Sequence, residues 1–297
     1  MDAVIDSVRA AAYTIPTDAP EADGTAQWSS TTLVVVTLGS GGTTGTGWTY
    51  GPAACAGIVE ELLAGVVHGR DVMATAGTWA AMVRAARNAT RAGAVGYAIS
   101  AVDVAAWDLK ARLLDVPLTD LMGRARESVP VYGSGGFTTY PDERMVDQLT
   151  GWVHDQAIPR VKIKIGARRG ADERRDLERV QRARAAIGDD IQLFVDANGA
   201  YTRKQAVRVA RAMESDAGVV WIEEPVSSDD LEGLREIRDQ VSADVAAGEY
   251  GTDVGYFESM LFEGALDPTG GGVTPDPGRP GHGLRLDQDA AAPYHVG

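Results

Sequence analysis

The chain of 297 residues has a single cysteine, Cys55. That rules out an internal disulfide framework and fits a reducing, cytoplasmic compartment. In its Ala/Gly-rich surroundings, Cys55 reads as a packing residue. No apolar run approaches the ~20 residues a membrane span needs. The start, Met-Asp-Ala-Val-Ile-Asp, has no basic stretch and no apolar core, so it does not read as a signal peptide. Basic charge is scarce too. Lys and Arg total 28 against 42 Asp and Glu, a net charge of −14. A nucleic-acid partner would want a basic face, so neither nucleic acid nor membrane is expected as a partner. The glycines of Gly45-Thr46-Gly47 do not make a dinucleotide fingerprint, because the third glycine is misplaced and no helix starts there. There is no fixed-period repeat beyond a strand–helix rhythm.

That rhythm organises the stretch from Val161 to Tyr250. Three short apolar runs end in acidic residues: Val195-Asp196-Ala197-Asn198-Gly199, Trp221-Ile222-Glu223-Glu224-Pro225 and Val245-Ala246-Ala247-Gly248-Glu249. Asp196 and Glu223 are 27 residues apart, and Glu223 and Glu249 are 26 apart. This is about one βα unit of a parallel barrel, so each run places a carboxylate at the C-terminal end of a strand, where such barrels put their chemistry. Three converging carboxylates repel one another unless a cation sits between them. Oxygen ligands without Cys or His favour Mg²⁺ over zinc. Ahead of them, Val161-Lys162-Ile163-Lys164-Ile165-Gly166 reads as a strand, with both lysines on one face. A lysine crowded by other cations can lose its proton near neutral pH and act as a base. Asn198 is a polar neighbour for metal or substrate. Strand alternation points Glu224 to the opposite face unless the chain twists, so it ranks behind Glu223, with Asn198 among the residues expected near the substrate.

The strings VKIKIG, VDANGAY, WIEEPV and AAGEY resemble, in order and spacing, the enolase superfamily, in its mandelate racemase/muconate lactonizing branch. The resemblance runs to about Ser259. It implies an α/β plus α+β protein: an N-terminal α+β capping domain over residues 1–125, then a TIM-type (β/α) barrel from 126. It implies metal binding by Asp196, Glu223 and Glu249, and assigns the base to Lys164, with Lys162 near the substrate carboxylate. Loops near Ala19–Ser29 and Gly45–Pro52 would close over the site, with Trp28, Trp48 and Tyr50 shaping a substrate pocket.

The remaining chain fits that plan up to a point. Thr31–Leu38 reads as a strand, turned at Gly39–Gly42 into a returning arm at Gly45–Tyr50. Ala-rich helices follow around Ala53–Val67 and Thr78–Thr90. Ala98–Leu114 repeats Ile99, Val102, Ala106, Leu109 and Leu113 at three- and four-residue steps, as one buried helix face requires. Val129–Tyr132 reads as the first barrel strand, with Gly133–Gly136 after it as a turn or anion cradle. Helices over Glu143–Asp155, Asp172–Ile187, Arg203–Glu214 and Leu231–Val241 alternate with strands, which means parallel pairing. Charge runs such as Arg174-Arg175-Asp176 read as solvated outer faces. The four histidines, His68, His154, His282 and His295, end no strand and read as surface residues.

Only five βα units are visible up to Glu249, where a closed barrel needs about eight. A short helix at Gly255–Leu261 is followed by Gly- and Pro-dense chain from Gly264 to Gly283, with a brief strand possible at Leu284–Leu286. The tail from Phe262 resembles the family's C-terminal segment. The reading is therefore an incomplete barrel over 126–261 and a tail over 262–297 packing on the capping domain, with an internal deletion whose junction falls near Phe257–Phe262. Open sheet edges invite pairing with other chains, so a homo-oligomer is expected. The expected function is Mg²⁺-dependent removal of the proton α to a carboxylate through an enediolate, in dehydration or epimerisation of a hydroxy or sugar acid. That describes an acid-sugar dehydratase-like lyase or isomerase. The alternative is an inactive truncated remnant that at most binds metal or carboxylate.

Overall fold

The structure, a computed structural model, describes residues 3–262, 280–282 and 284–296. They fall into two units: residues 3–17, 30–127 and those from 280 onward in one, residues 18–29 and 128–262 in the other.

The first unit is built on an antiparallel sheet. Its strands are β1 (Ser7–Ala22), β2 (Gln27–Ser40) and β3 (Thr43–Tyr50), in the order β3-β2-β1 followed by His295–Val296. Gly41 and Gly42 make the β2–β3 turn at φ 57° and 87°, a region glycine enters without steric penalty. Val34, Val36 and Leu38 of β2 share a core with Cys55, Val59 and the face of the helix Ala94–Leu113 that carries Ile99, Val102 and Leu109. That helix presses onto β3 at Gly45 and Gly47, where an added Cβ would overlap the backbone of Ala101, Ala105 and Leu109. Gly47→Ala is therefore expected to destabilise by about 1–3 kcal/mol, the usual result of overpacking. Thermal unfolding checks it, and an unchanged midpoint would contradict this packing.

The second unit holds five parallel strands in sequence order: β4 (Gly133–Gly135), β5 (Arg160–Lys164), β6 (Gln192–Asp196), β7 (Val219–Glu223) and β8 (Asp244–Ala246). The helices Asp142–Thr150, Glu173–Ile187, Arg203–Ala217 and Leu231–Arg238 lie between them in sequence. Parallel strands need such crossovers. Among the described residues this is an incomplete barrel. Register sorts the side chains into rows. Ile163, Val195, Ile222 and Val245 are paired in turn and buried in the core with the helices. Lys162, Phe194 and Trp221 form one row of the opposite face, and Lys164, Asp196 and Glu223 form the next.

Several expectations are corrected. The first barrel strand is Gly133–Gly135, not Val129–Tyr132. A Cβ at Gly133 or Gly135 would overlap the Trp152 ring or the Gln148 side chain, so only glycine lets that helix close on the sheet. Gly133 and Gly135 are thus strand and not turn. Ala19–Ser29 and Gly45–Pro52 are mostly strand, with a tight turn only at Asp23–Ala26, where the Asp23 carboxylate accepts from the N–H groups of Thr25 and Ala26. Leu284–Leu286 is not a strand. His295–Val296 pairs with Ala12 and Tyr13 of β1 instead. A helix spans Val254–Phe262. Most of the Gly/Pro-dense segment from Gly264 to Gly283 lies outside the described residues. No helix among those described is long and apolar enough to cross a membrane.

Candidate metal centre

Lys164, Asp196 and Glu223 end β5, β6 and β7 and pair directly in register, so their side chains rise from one level of the same sheet face. Glu249 follows β8 by three residues. One carboxylate oxygen from each of Asp196, Glu223 and Glu249 lies within 4.8 Å of the others. Asp196 is fully buried, Glu223 nearly so, and Glu249 is exposed.

Both lysines reach this cluster. Lys164 Nζ donates to Asp196 Oδ2 at 2.5 Å and to Asn198 Oδ1 at 2.9 Å. Asn198 is locked in turn: its N–H donates to Asp196 Oδ1 at 3.0 Å and its Nδ2 to Glu249 Oε1 at 3.1 Å. Lys162 Nζ bonds Glu223, lies 3.6 Å from Asp196 Oδ2, and donates to the Tyr132 hydroxyl at 3.1 Å. It also sits over the Tyr132 and Trp221 rings, at 4.8 and 5.2 Å from their centroids. Burial alone would lower the Lys162 ammonium, but Asp196 and Glu223 outweigh it and hold the group well above the usual lysine range. Lys162 is therefore a fixed cation. Burial, and then the Asp196 charge, raise the Glu223 carboxyl against the pull of Lys162.

Glu224 does not follow strand alternation. Its backbone turns left-handed at φ 42°, with its N–H on Ala246 O, and Asn198 does likewise at φ 45°. Non-glycine residues held there carry strain that tends to collect at functional sites. Glu224 is completely buried there and bonded to the Ser228 hydroxyl, and its Oε2 has no hydrogen-bond partner among the described residues. Burial pushes its carboxyl up to about 7, with the Glu249, Asp196 and Glu223 charges adding to the shift. Glu224 thus lies within electrostatic reach of all three carboxylates.

The aromatic expectations separate. Trp28 lies in the same unit as the carboxylates, where its indole donates to Glu21 at 2.8 Å and meets Phe137 edge to face. The turn at Gly24 packs against Ile165, Ala197 and Ala200, the residues just beyond Lys164 and Asp196. Trp48 and Tyr50 belong to the first unit. They line a cavity of about 260 Å³ with Leu33, Val35 and His282. His282 is not a surface residue as expected. Its Nε2 lies 2.8 Å from Thr46 O, its Nδ1 accepts from Leu284 N–H, and its ring meets Trp48 edge to face. The other three histidines are exposed. Sequence reasoning missed Tyr132 and Ser228, which bond Lys162 and Glu224. Neither stands in a motif, and only the folded chain brings them to Lys162 and Glu224.

Two family models match this chain. Residues 9–123 match the mandelate racemase/muconate lactonizing enzyme N-terminal domain, and residues 144–274 match the enolase C-terminal domain-like model. A 3,6-anhydro-alpha-L-galactonate cycloisomerase from Streptomyces coelicolor is 34% identical over 269 residues, spanning 89% of this chain and 73% of the relative. The chain belongs to the mandelate racemase/muconate lactonizing branch of the enolase superfamily. Within this branch, the L-talarate/galactarate dehydratase of Salmonella typhimurium is 34% identical over 192 residues, or 62% of this chain and 47% of the relative. The chain thus matches about half the length of that enzyme. Its crystal structure, liganded with Mg and L-lyxarohydroxamate, superposes at TM-score 0.83 and 26% identity over 90% of this chain and 70% of that one. A mandelate racemase/muconate lactonizing enzyme-like protein from Rubrobacter xylanophilus superposes at TM-score 0.90 and 40% identity, covering 99% of this chain and 100% of the other.

Proposed function

We propose that this chain binds Mg²⁺ at Asp196, Glu223 and Glu249 and removes the proton α to the carboxylate of a hydroxy or sugar acid, with Lys164 as the base. One observation carries the reading: three strand-end carboxylates converge within 4.8 Å while Lys164 shares their sheet face. The donor set suits the ion, since it is all carboxylate oxygen and its mutual repulsion is relieved by a hard dication. When bound, the ion supplies positive charge to the substrate carboxylate as negative charge develops there.

The chain's own residues divide the remaining work. Lys164, oriented by Asp196 and Asn198, is the group placed to take the α-proton at its Nζ. Lys162 stays protonated and adds a preorganised charge for the enediolate. In dehydration the electron pair of the enediolate expels a β-hydroxyl, which takes a proton from the Lys164 ammonium or from water. Epimerisation would need a second acid on the opposite face to deliver a proton to the same carbon, while Lys164 keeps the one it removed. Among the described residues no histidine ends a barrel strand, which favours the one-base elimination. The dehydratase and cycloisomerase names of the relatives support this class.

The test is proton exchange. The chain is incubated in D₂O with Mg²⁺ and a panel of hydroxy and sugar acids, and deuterium at the α-carbon is followed by NMR. Exchange into at least one acid is the expected result. No exchange into any acid, with Mg²⁺ demonstrably bound, would leave the truncated, inactive metal binder as the correct description.

A further inference from the structure

Asp176 sits in a run of charges that reads as solvated, yet it is 1% exposed. Tyr201 closes the VDANGAY string and is 6% exposed. The Tyr201 hydroxyl donates to Asp176 Oδ2 at 2.8 Å, and Asp176 Oδ1 accepts from Ala167 N–H at 3.4 Å. Ala167 is three residues beyond Lys164, and Tyr201 is five beyond Asp196. One buried carboxylate on the helix Glu173–Ile187 thereby ties the turn after β5 to the turn after β6.

We propose that the Asp176–Tyr201 pair is a positioning device that fixes Lys164 against Asp196 and Asn198. This rests on the reading of Lys164 as the base. Lys164 reaches its two partners from β5, while both partners stand on the end of β6 and its turn, so the relative placement of the two turns sets those distances. Other contacts close the same joint. Ile165 N–H donates to Asp196 O at 2.9 Å, Gly170 O accepts from Gln205 Nε2 at 2.6 Å, and a Cβ on Gly170 would come 2.7 Å from Tyr201 Cδ1. Gly166, between the base and the joint, turns at φ 79°, and a Cβ there would press on Ala200. A buried carboxylate with no ion pair among the described residues is an expensive way to pack two loops, since an apolar pair avoids the desolvation. What the pair adds over an apolar contact is a directed hydrogen bond at each end.

The experiment uses the full chain with Tyr201→Phe and Asp176→Asn. Tyr201→Phe keeps the ring and removes only the hydroxyl bond. Asp176→Asn keeps an oxygen for one end and a polar partner for the other, and so serves as the rescue. The first readout needs no substrate: acetylation of Lys164 by N-hydroxysuccinimidyl acetate at fixed pH in EDTA, read by peptide mass with Lys162 as internal control. In Tyr201→Phe, Lys164 is expected to react severalfold faster while Lys162 is unchanged, and Asp176→Asn is expected to stay near wild type. In the exchange assay, Tyr201→Phe is expected to lose about 10²-fold in kcat with KM held within twofold, the usual penalty for misplacing a reacting group by about 1 Å. An unchanged Lys164 rate, or a parallel rise at Lys162, would overturn the proposal. Should the wild-type chain exchange no proton, the function reading fails while acetylation still decides the positioning role.

Discussion

Lys164→Ala is expected to lower α-proton exchange by about 10²–10⁴-fold, the range a positioned general base supplies, and to leave the Mg²⁺-dependent rise in unfolding midpoint in place. The side chain ends 2.5 Å from Asp196 and 2.9 Å from Asn198, so truncation removes the amine and leaves all three carboxylates standing. Charge and basicity separate with Lys164→Arg. A guanidinium keeps the positive charge but does not give up its proton in proteins, so this variant is expected to be as inactive as the alanine one. Wild-type exchange in Lys164→Arg would mean that the position supplies only charge. Exchange surviving both Lys164→Ala and Glu223→Gln would sink the enzyme reading, because neither the base nor the metal site would then be needed.

The sequence carried the centre of this fold well because its signal there is periodic. A carboxylate every 26 or 27 residues, each after a short apolar run, leaves few arrangements other than successive parallel strands. Register did the rest, putting Lys164, Asp196 and Glu223 at one level. The misses have local causes. β1 carries Pro16 and Pro20 within an Ala-rich run, which hides a 16-residue strand from a pattern search. Val129–Tyr132 has the better strand propensity, but close approach by Trp152 selects the glycines beside it. Asp176 looked solvated because its neighbours are charged, and only the tertiary partner Tyr201 reveals its burial. For Glu224 alternation left a twist of the chain open, and the backbone supplies one at φ 42°. His282 gains its burial from Thr46, 236 residues away, a distance no local pattern spans.

Metal binding is expected to raise the unfolding midpoint, because a ligand bound only by the folded state stabilises it by RT ln(1 + [L]/Kd). At Mg²⁺ about 100-fold above Kd this is about 2.7 kcal/mol, or roughly 5–10 °C for a domain of this size. The measurement is thermal unfolding in EDTA and then across a Mg²⁺ titration. Two variants bracket the outcome. Asp196 is buried and pairs with Lys164 and Lys162, so Asp196→Asn should abolish the Mg²⁺ response and also lower the midpoint in EDTA, since stripping one partner from a buried ion pair costs about 3–5 kcal/mol. Glu249 is exposed and bonded only to Asn198 among the described residues, so Glu249→Gln should weaken the response with little change in EDTA. The contrast separates a lost ligand from a damaged fold. A midpoint that ignores Mg²⁺ in the wild-type chain would show that the three carboxylates do not form a working site, and the lysines beside them would then have no metal to work with.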